Sequence, residues 1–126
     1  MKPIVLIESP YRNGDRNENL RYLAWCELDS TLRGECPISS HGNCTVYWPE
    51  DDVHRALGFQ WRDTIRTVVS LVAYYVDMGT SAGTLAAMMR DSKERVVHEE
   101  RMLHRNAFDS FMRGEYPPGS MRRIAI

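Results

Sequence analysis

The chain has 126 residues, 43% of them hydrophobic and 26% charged, with a formal net charge of -1. That length supports one domain with a real core and excludes two ordinary ones. Near neutrality leaves no global field for nucleic acid or a membrane surface, so any anion site must be local. Cys26, Cys36 and Cys44 form no CxxC or CxxxC pair. Although Cys36 and Cys44 bracket His41, they read as reduced thiols of a cytosolic protein rather than as metal ligands, and no cofactor is expected. The opening "MKPIVLIESP" is too short and too polar for a secretory signal, and no run approaches the ~20 apolar residues of a membrane span. The sequence therefore predicts a soluble, cytoplasmic protein.

"PIVLIESP" is a β-branched apolar run ended by a proline, as in a strand buried on both faces. "YRNGDR" is a loop with Asn13-Gly14 as its turn signal. From Asn17 to Arg33 the residues Leu20, Leu23, Ala24, Leu28 and Leu32 recur at helical spacing, and Gly34 follows as a stop. "CPISS" is a weak second strand, and His41–Asp52 is a long ordered loop in which "VYWPEDD" can act as a lid, cover the sheet or meet a second subunit. "VHRALGFQWRDTIRTVV" reads as a helix with Gly58 as a possible break. "SLVAYYVD" is the clearest strand, a helix covers Ser81–Lys93, and "RVVHEERML" supplies a fourth strand whose charges suit an edge. Met88 and Met89 read as packing, and the mixed charges of "RDSKERVVHEER" as a solvated face. A short helix at Asn106–Met112 and an extended "GEYPPGSMRRIAI" complete the chain.

Strands alternating with helices predict an α/β fold, a three-layer sandwich with a mostly parallel sheet of four or five strands. In such sheets ligands bind beyond the carboxyl ends of the strands. "SPYRNGD", "SSHGNC" and "DMGTSAG" each follow a strand, so all three are expected on one edge. "DMGTSAG" offers Asp77 at a strand end, glycines where backbone can approach a ligand, and Thr80 and Ser81 where a helix begins. Free N–H groups there can take phosphate or carboxylate, while the structural alternative is a strand terminator and a helix cap. Neither a GxGxxG fingerprint nor a GK[ST] phosphate loop is present.

"ESPYRNGDRNENLRYLAWCELDSTLRGECPISSH", "ALGFQWR" and "YYVDMGTSAGTLAAM" together resemble the nucleoside 2-deoxyribosyltransferase-like family, particularly its small phage and bacterial members. The resemblance spans residues 3–102. It implies a flavodoxin- or Rossmann-like domain over 1–104, with 105–126 as a tail docked on the domain or on a neighbouring subunit, and a homo-oligomer, dimer or higher. True transferases of the family cleave an N-glycosidic bond with a glutamate six residues after a sugar-binding aspartate. Asp77 matches the aspartate, but the sixth position is Gly83, and the next carboxylate on that helix is Asp91. The transferase mechanism therefore does not carry over, and no catalytic residue is assigned.

Two readings remain. In the first, the pocket holds a nucleoside, nucleotide or ADP-ribose-derived molecule without cleaving it; for a phage protein in host cytoplasm, the analogy is an anti-defence protein capturing a host nucleotide signal. In the second, an enzyme cleaves or transfers at the same bond by another constellation, such as Asp77 with Glu8 or His41. Glu8 sits two residues before Pro10; its bland role is to pair with an arginine. The expected ligand contacts are Ser9, Tyr11, Arg12, His41, Asn43, Arg62, Asp77, Gly79, Thr80, Ser81 and Gly83. A tyrosine can stack on a base and an arginine can clamp phosphate. Trp61 is read as core. Arg122 and Arg123 in the apolar-ended tail can reach a partner's pocket or stay solvated.

Overall fold

A computed structural model describes residues 1–10, 14–43 and 45–119. Four strands form one sheet: β1 (Ile4–Glu8), β2 (Cys36–Ile38), β3 (Leu71–Tyr75) and β4 (His98–Arg101). Its order is β2-β1-β3-β4 and every pairing is parallel. The helices are α1 (Arg16–Leu32), α2 (Ser40–Asn43), α3 (Asp52–Ile65), α4 (Ala82–Lys93) and α5 (Arg105–Met112), with a 3-10 turn at Thr45–Tyr47. This is the α/β, Rossmann-like sandwich that the alternation of strand and helix signals predicts. The charged strand "HEER" does lie at an edge. Gly58 does not break α3, and part of the expected loop after β2 folds as α2.

Side chains alternate across the sheet with the two-residue period of a strand. Val5, Ile7, Ala73 and Tyr75 face α1 and α5, where they pack with Tyr22, Leu23, Trp25, Cys26, Leu103 and Phe111. Leu6, Val72 and Tyr74 face α3 and α4, where Met88 joins them and Trp61, Ile65 and Ala87 pack alongside. Tail residues thus belong to the domain as far as α5, through Phe111 in the first core; residues 120–126, with Arg122 and Arg123, lie outside the described residues. Met88 packs as expected from its position, whereas Met89 is exposed.

The second face is held partly by ions. Arg66, which caps the C-terminus of α3, binds Asp91 of α4 at 2.7 Å and also Glu94, and Tyr74 donates its hydroxyl to Asp91. Asp91, read from the charge run as solvated, is only 1% exposed. A carboxylate can be buried so deeply because a guanidinium and a hydroxyl satisfy it there.

Candidate functional site

The order β2-β1-β3-β4 puts the topological switch at the central pair, β1 and β3, and the chain leaving their carboxyl ends opens there to either side. A cleft of about 830 Å³ occupies that edge. Its size is that of a small-molecule site. Segments 8–10, 14–15, 40–41 and 78–84 all line it, joined by one wall of α3 and by the segment 48–50. The three loops that follow strands in the sequence do meet on one edge.

Each wall has a local cause. Asp15 caps α1 by accepting from the Asn17 N–H at 2.9 Å. Ser81 caps α4 by accepting from the Thr84 N–H at 3.1 Å, so the first turn of α4 points its backbone donors at the cleft rim. The turn ahead of it closes through the Gly79 N–H to the Val76 carbonyl at 2.9 Å, and Gly79 has a φ of 88° that favours glycine. Asp51 caps α3 through the His54 N–H at 2.8 Å. Arg16 of α1 ties down the segment after α2, donating to the Val46 carbonyl at 2.9 Å and pairing with Glu50 at 3.6 Å. That tether holds Trp48 against His54, with ring centroids 5.9 Å apart.

The α3 wall carries Arg55, Gly58, Phe59 and Arg62. Both guanidiniums lie near the Phe59 ring, Arg55 at 5.9 Å and Arg62 at 5.4 Å from its centroid. Phe59 is about half exposed. Across the cleft, a Cβ added to Gly83 would meet only Ser81 Oγ, at an ordinary 3.7 Å.

Of the expected contact residues, Ser9, His41, Arg62, Gly79, Thr80, Ser81 and Gly83 line the cleft. Tyr11 and Arg12 lie outside the described residues. Asn43 is turned into its own helix, its side-chain oxygen accepting from the Ser39 N–H at 3.0 Å. Asp77 is also absent from the lining. Its carboxylate accepts from Tyr22 Oη at 2.6 Å and from the Leu103 N–H at 3.0 and 3.1 Å, and its own N–H donates to Tyr22 Oη. These bonds make it a clasp between α1, the end of β3 and the end of β4. Trp48, Arg55 and Phe59 line the cleft without having been singled out as contacts; the spacing of Arg55, Phe59 and Arg62, three and four residues apart on one helix face, was the available signal.

Glu8 ends β1 on the α3 side, with its side chain 13% exposed. Arg62 Nη1 approaches Glu8 Oε2 at 3.4 Å. Burial outweighs this single long contact and pushes the Glu8 carboxyl up to about 7. Among the described residues no cluster of His, Cys, Asp and Glu is arranged to hold a metal ion, and no helix is long and apolar enough to cross a membrane.

Fold and cleft together define the class: an α/β protein with a parallel four-stranded sheet and a ligand-sized cleft at its carboxyl edge. In comparison with known proteins, no family model, curated protein or solved structure matched the chain.

Proposed function

We propose that the protein binds a nucleoside-type small molecule, a nucleotide or an ADP-ribose derivative, in this cleft and holds it without cleaving it. The observation that carries the reading is the composition of the cleft at the switch point. Aromatic faces at Trp48 and Phe59 suit a planar base, the hydroxyls of Ser81 and Thr80 suit a sugar, and the first turn of α4 with Arg55 and Arg62 suits phosphate. Gly83 brings no carboxylate to attack an anomeric carbon. The residues around it can grip sugar and phosphate equally in bound ligand and transition state, which gives affinity without rate. Sequestration of a nucleotide signal is the biological form such binding takes in this reading.

Native mass spectrometry of the protein with a mixture of nucleosides, mononucleotides and ADP-ribose tests it. A retained member of that mixture, recovered intact after denaturation, is the expected result; retention of none of them would refute the reading. The same spectra count subunits. Self-association is part of the proposal, supported by the exposed apolar residues Val53 and Leu57 on α3 and Leu85 and Met89 on α4.

One observation favours the alternative, an enzyme acting at an N-glycosidic bond. A largely buried carboxyl titrating near neutrality, as Glu8 does, is poised to exchange protons with a bound substrate. Release of free base by the unmodified protein, abolished in Glu8→Gln, would replace the binding reading with this one.

A further inference from the structure

Glu8, Ser9 and Arg62 meet on the sheet side of the cleft, where β1 ends, and their hydrogen bonding is incomplete. Arg62 has the single 3.4 Å contact to Glu8, at the outer limit of a hydrogen bond, and its buried Nε has no partner. Ser9 Oγ is buried and has none either. The Nε atoms of Arg66, Arg90 and Arg101 share this condition, but each of those guanidiniums is held by at least two carboxylates. Ser9 is the one hydroxyl in the set. Buried polar groups are nearly always paired, so unpaired donors gathered on the wall of a cleft point to a group that arrives from outside.

The surroundings of Glu8 decide what that group is. Arg62 and Asp63 face it from α3, Asp91 from α4 and Tyr74 from β3, its register partner. Asp91 is already matched by Arg66 and by the Tyr74 hydroxyl, and Asp63 by Arg90. Arg62 is therefore the cation that stands beside Glu8, and Glu8 is the carboxylate that opposes it. When Glu8 is ionised, its carboxylate cancels that charge and repels an incoming anion. When Glu8 is neutral, it presents an O–H donor beside a full guanidinium charge. Burial brings these two forms into balance near neutral pH.

We infer that this wall is an anion subsite, in which Arg62 supplies the charge while Ser9 and a neutral Glu8 each supply a hydroxyl donor, so that the cleft takes its ligand in a phosphate-bearing form together with one proton. The inference rests on the proposed function only for the remainder of the ligand. The proton comes from solvent and stays on Glu8 while the anion is bound. A phosphate monoester and a pyrophosphate share this chemistry.

Sulfate is the probe, because its charge does not change between pH 5.5 and 8.5. Isothermal titration calorimetry of the full chain, in paired buffers of different ionisation enthalpy, reads affinity and proton uptake together. The expected result is a sulfate affinity that falls tenfold per pH unit above about 7, with close to one proton taken up at pH 8.5. Glu8→Gln is expected to bind with the same affinity at every pH, near that of the unmodified protein at pH 5.5, and Arg62→Met to lose binding. A pH-independent affinity in the unmodified protein, a persisting pH dependence in Glu8→Gln, or no sulfate binding at any pH would each overturn the inference. Sulfate in competition with a mononucleotide and with its nucleoside separates this from the proposed function. Retention of nucleosides and nucleotides alike, undisturbed by sulfate, sinks the subsite and leaves the function standing. Pronounced sulfate binding with no nucleoside-type ligand retained does the reverse.

Discussion

The two faces of the sheet are built differently. On the α1 and α5 side, Tyr22, Trp25, Cys26 and Phe111 are buried with Val5, Ile7 and Ala73 in a continuous apolar core. On the other side α3 buries only Gly58, and α4 only Met88 and Asp91; much of the cohesion comes from Arg66, Asp91, Glu94, Asp63 and Arg90. The first face holds the larger of the two apolar clusters. The second contributes a whole wall to the cleft and leaves apolar side chains uncovered. A ligand site requires surface not already satisfied by the fold, and that surface lies on the side where packing is incomplete.

Glu8 and Asp77 carry this contrast in a single residue type. Both are carboxylates at strand ends on the same edge of the sheet, and the sequence marks both as candidates. Asp77 is spent on the fold, with Oδ2 accepting from Tyr22 of α1 and both oxygens facing the Leu103 N–H. Glu8 is left with one long contact to Arg62.

The larger expected effect is at Glu8. Its carboxyl titrates at about 7 in the folded protein against an ordinary 4.5, so between those values the folded chain keeps a proton that the unfolded chain has lost. Stability from this group is thus full below about pH 4.5, falls as pH rises to 7, and is constant above, a loss on the order of 3 kcal/mol. Denaturant unfolding of Glu8→Gln is expected to match the unmodified protein near pH 5 and to exceed it at pH 8. Equal stability at both pH values would show that Glu8 is well paired and that the contrast with Asp77 is false.

A smaller effect of opposite sense is expected at Asp77. Asp77→Asn weakens the acceptor for Tyr22 and Leu103 and should cost about 2 kcal/mol at neutral pH, with ligand affinity unchanged. Weakened affinity at unchanged stability would return Asp77 to the cleft and give it the sugar-binding role that the resemblance implies.

The sequence made the fold legible because its signals agree: a β-branched run before Pro10, helical spacing from Leu20 to Leu32, and caps at Ser81 and Gly34 all point to one alternation of elements. The convergence of three loops was legible for the same reason, since a parallel sheet sends every such loop to one edge. Individual side chains were less so. "DMGTSAG" displays a polar turn, but nothing local reveals that Tyr22, 55 residues earlier, occupies the aspartate. Asp91 is hidden in a run of mixed charge, because its burial depends on Arg66 and Tyr74 arriving from two other elements. On α3 the sequence offers Trp61 for the core and Arg62 for the ligand, while Arg55 and Phe59, on the same helix face as Arg62, carry no local mark that sets them apart from an ordinary solvated surface.

Amide hydrogen exchange of the full chain, with and without the mononucleotide or ADP-ribose retained in native mass spectrometry, tests the central claim most directly. The account predicts slowed exchange confined to the cleft rim, at Glu8 and Ser9, at Arg55–Arg62 and at the first turn of α4, with α5 and the buried face of α1 unchanged. Protection spread over α1 and α5 instead, or no protection at the end of β1 and the start of α4, would contradict it.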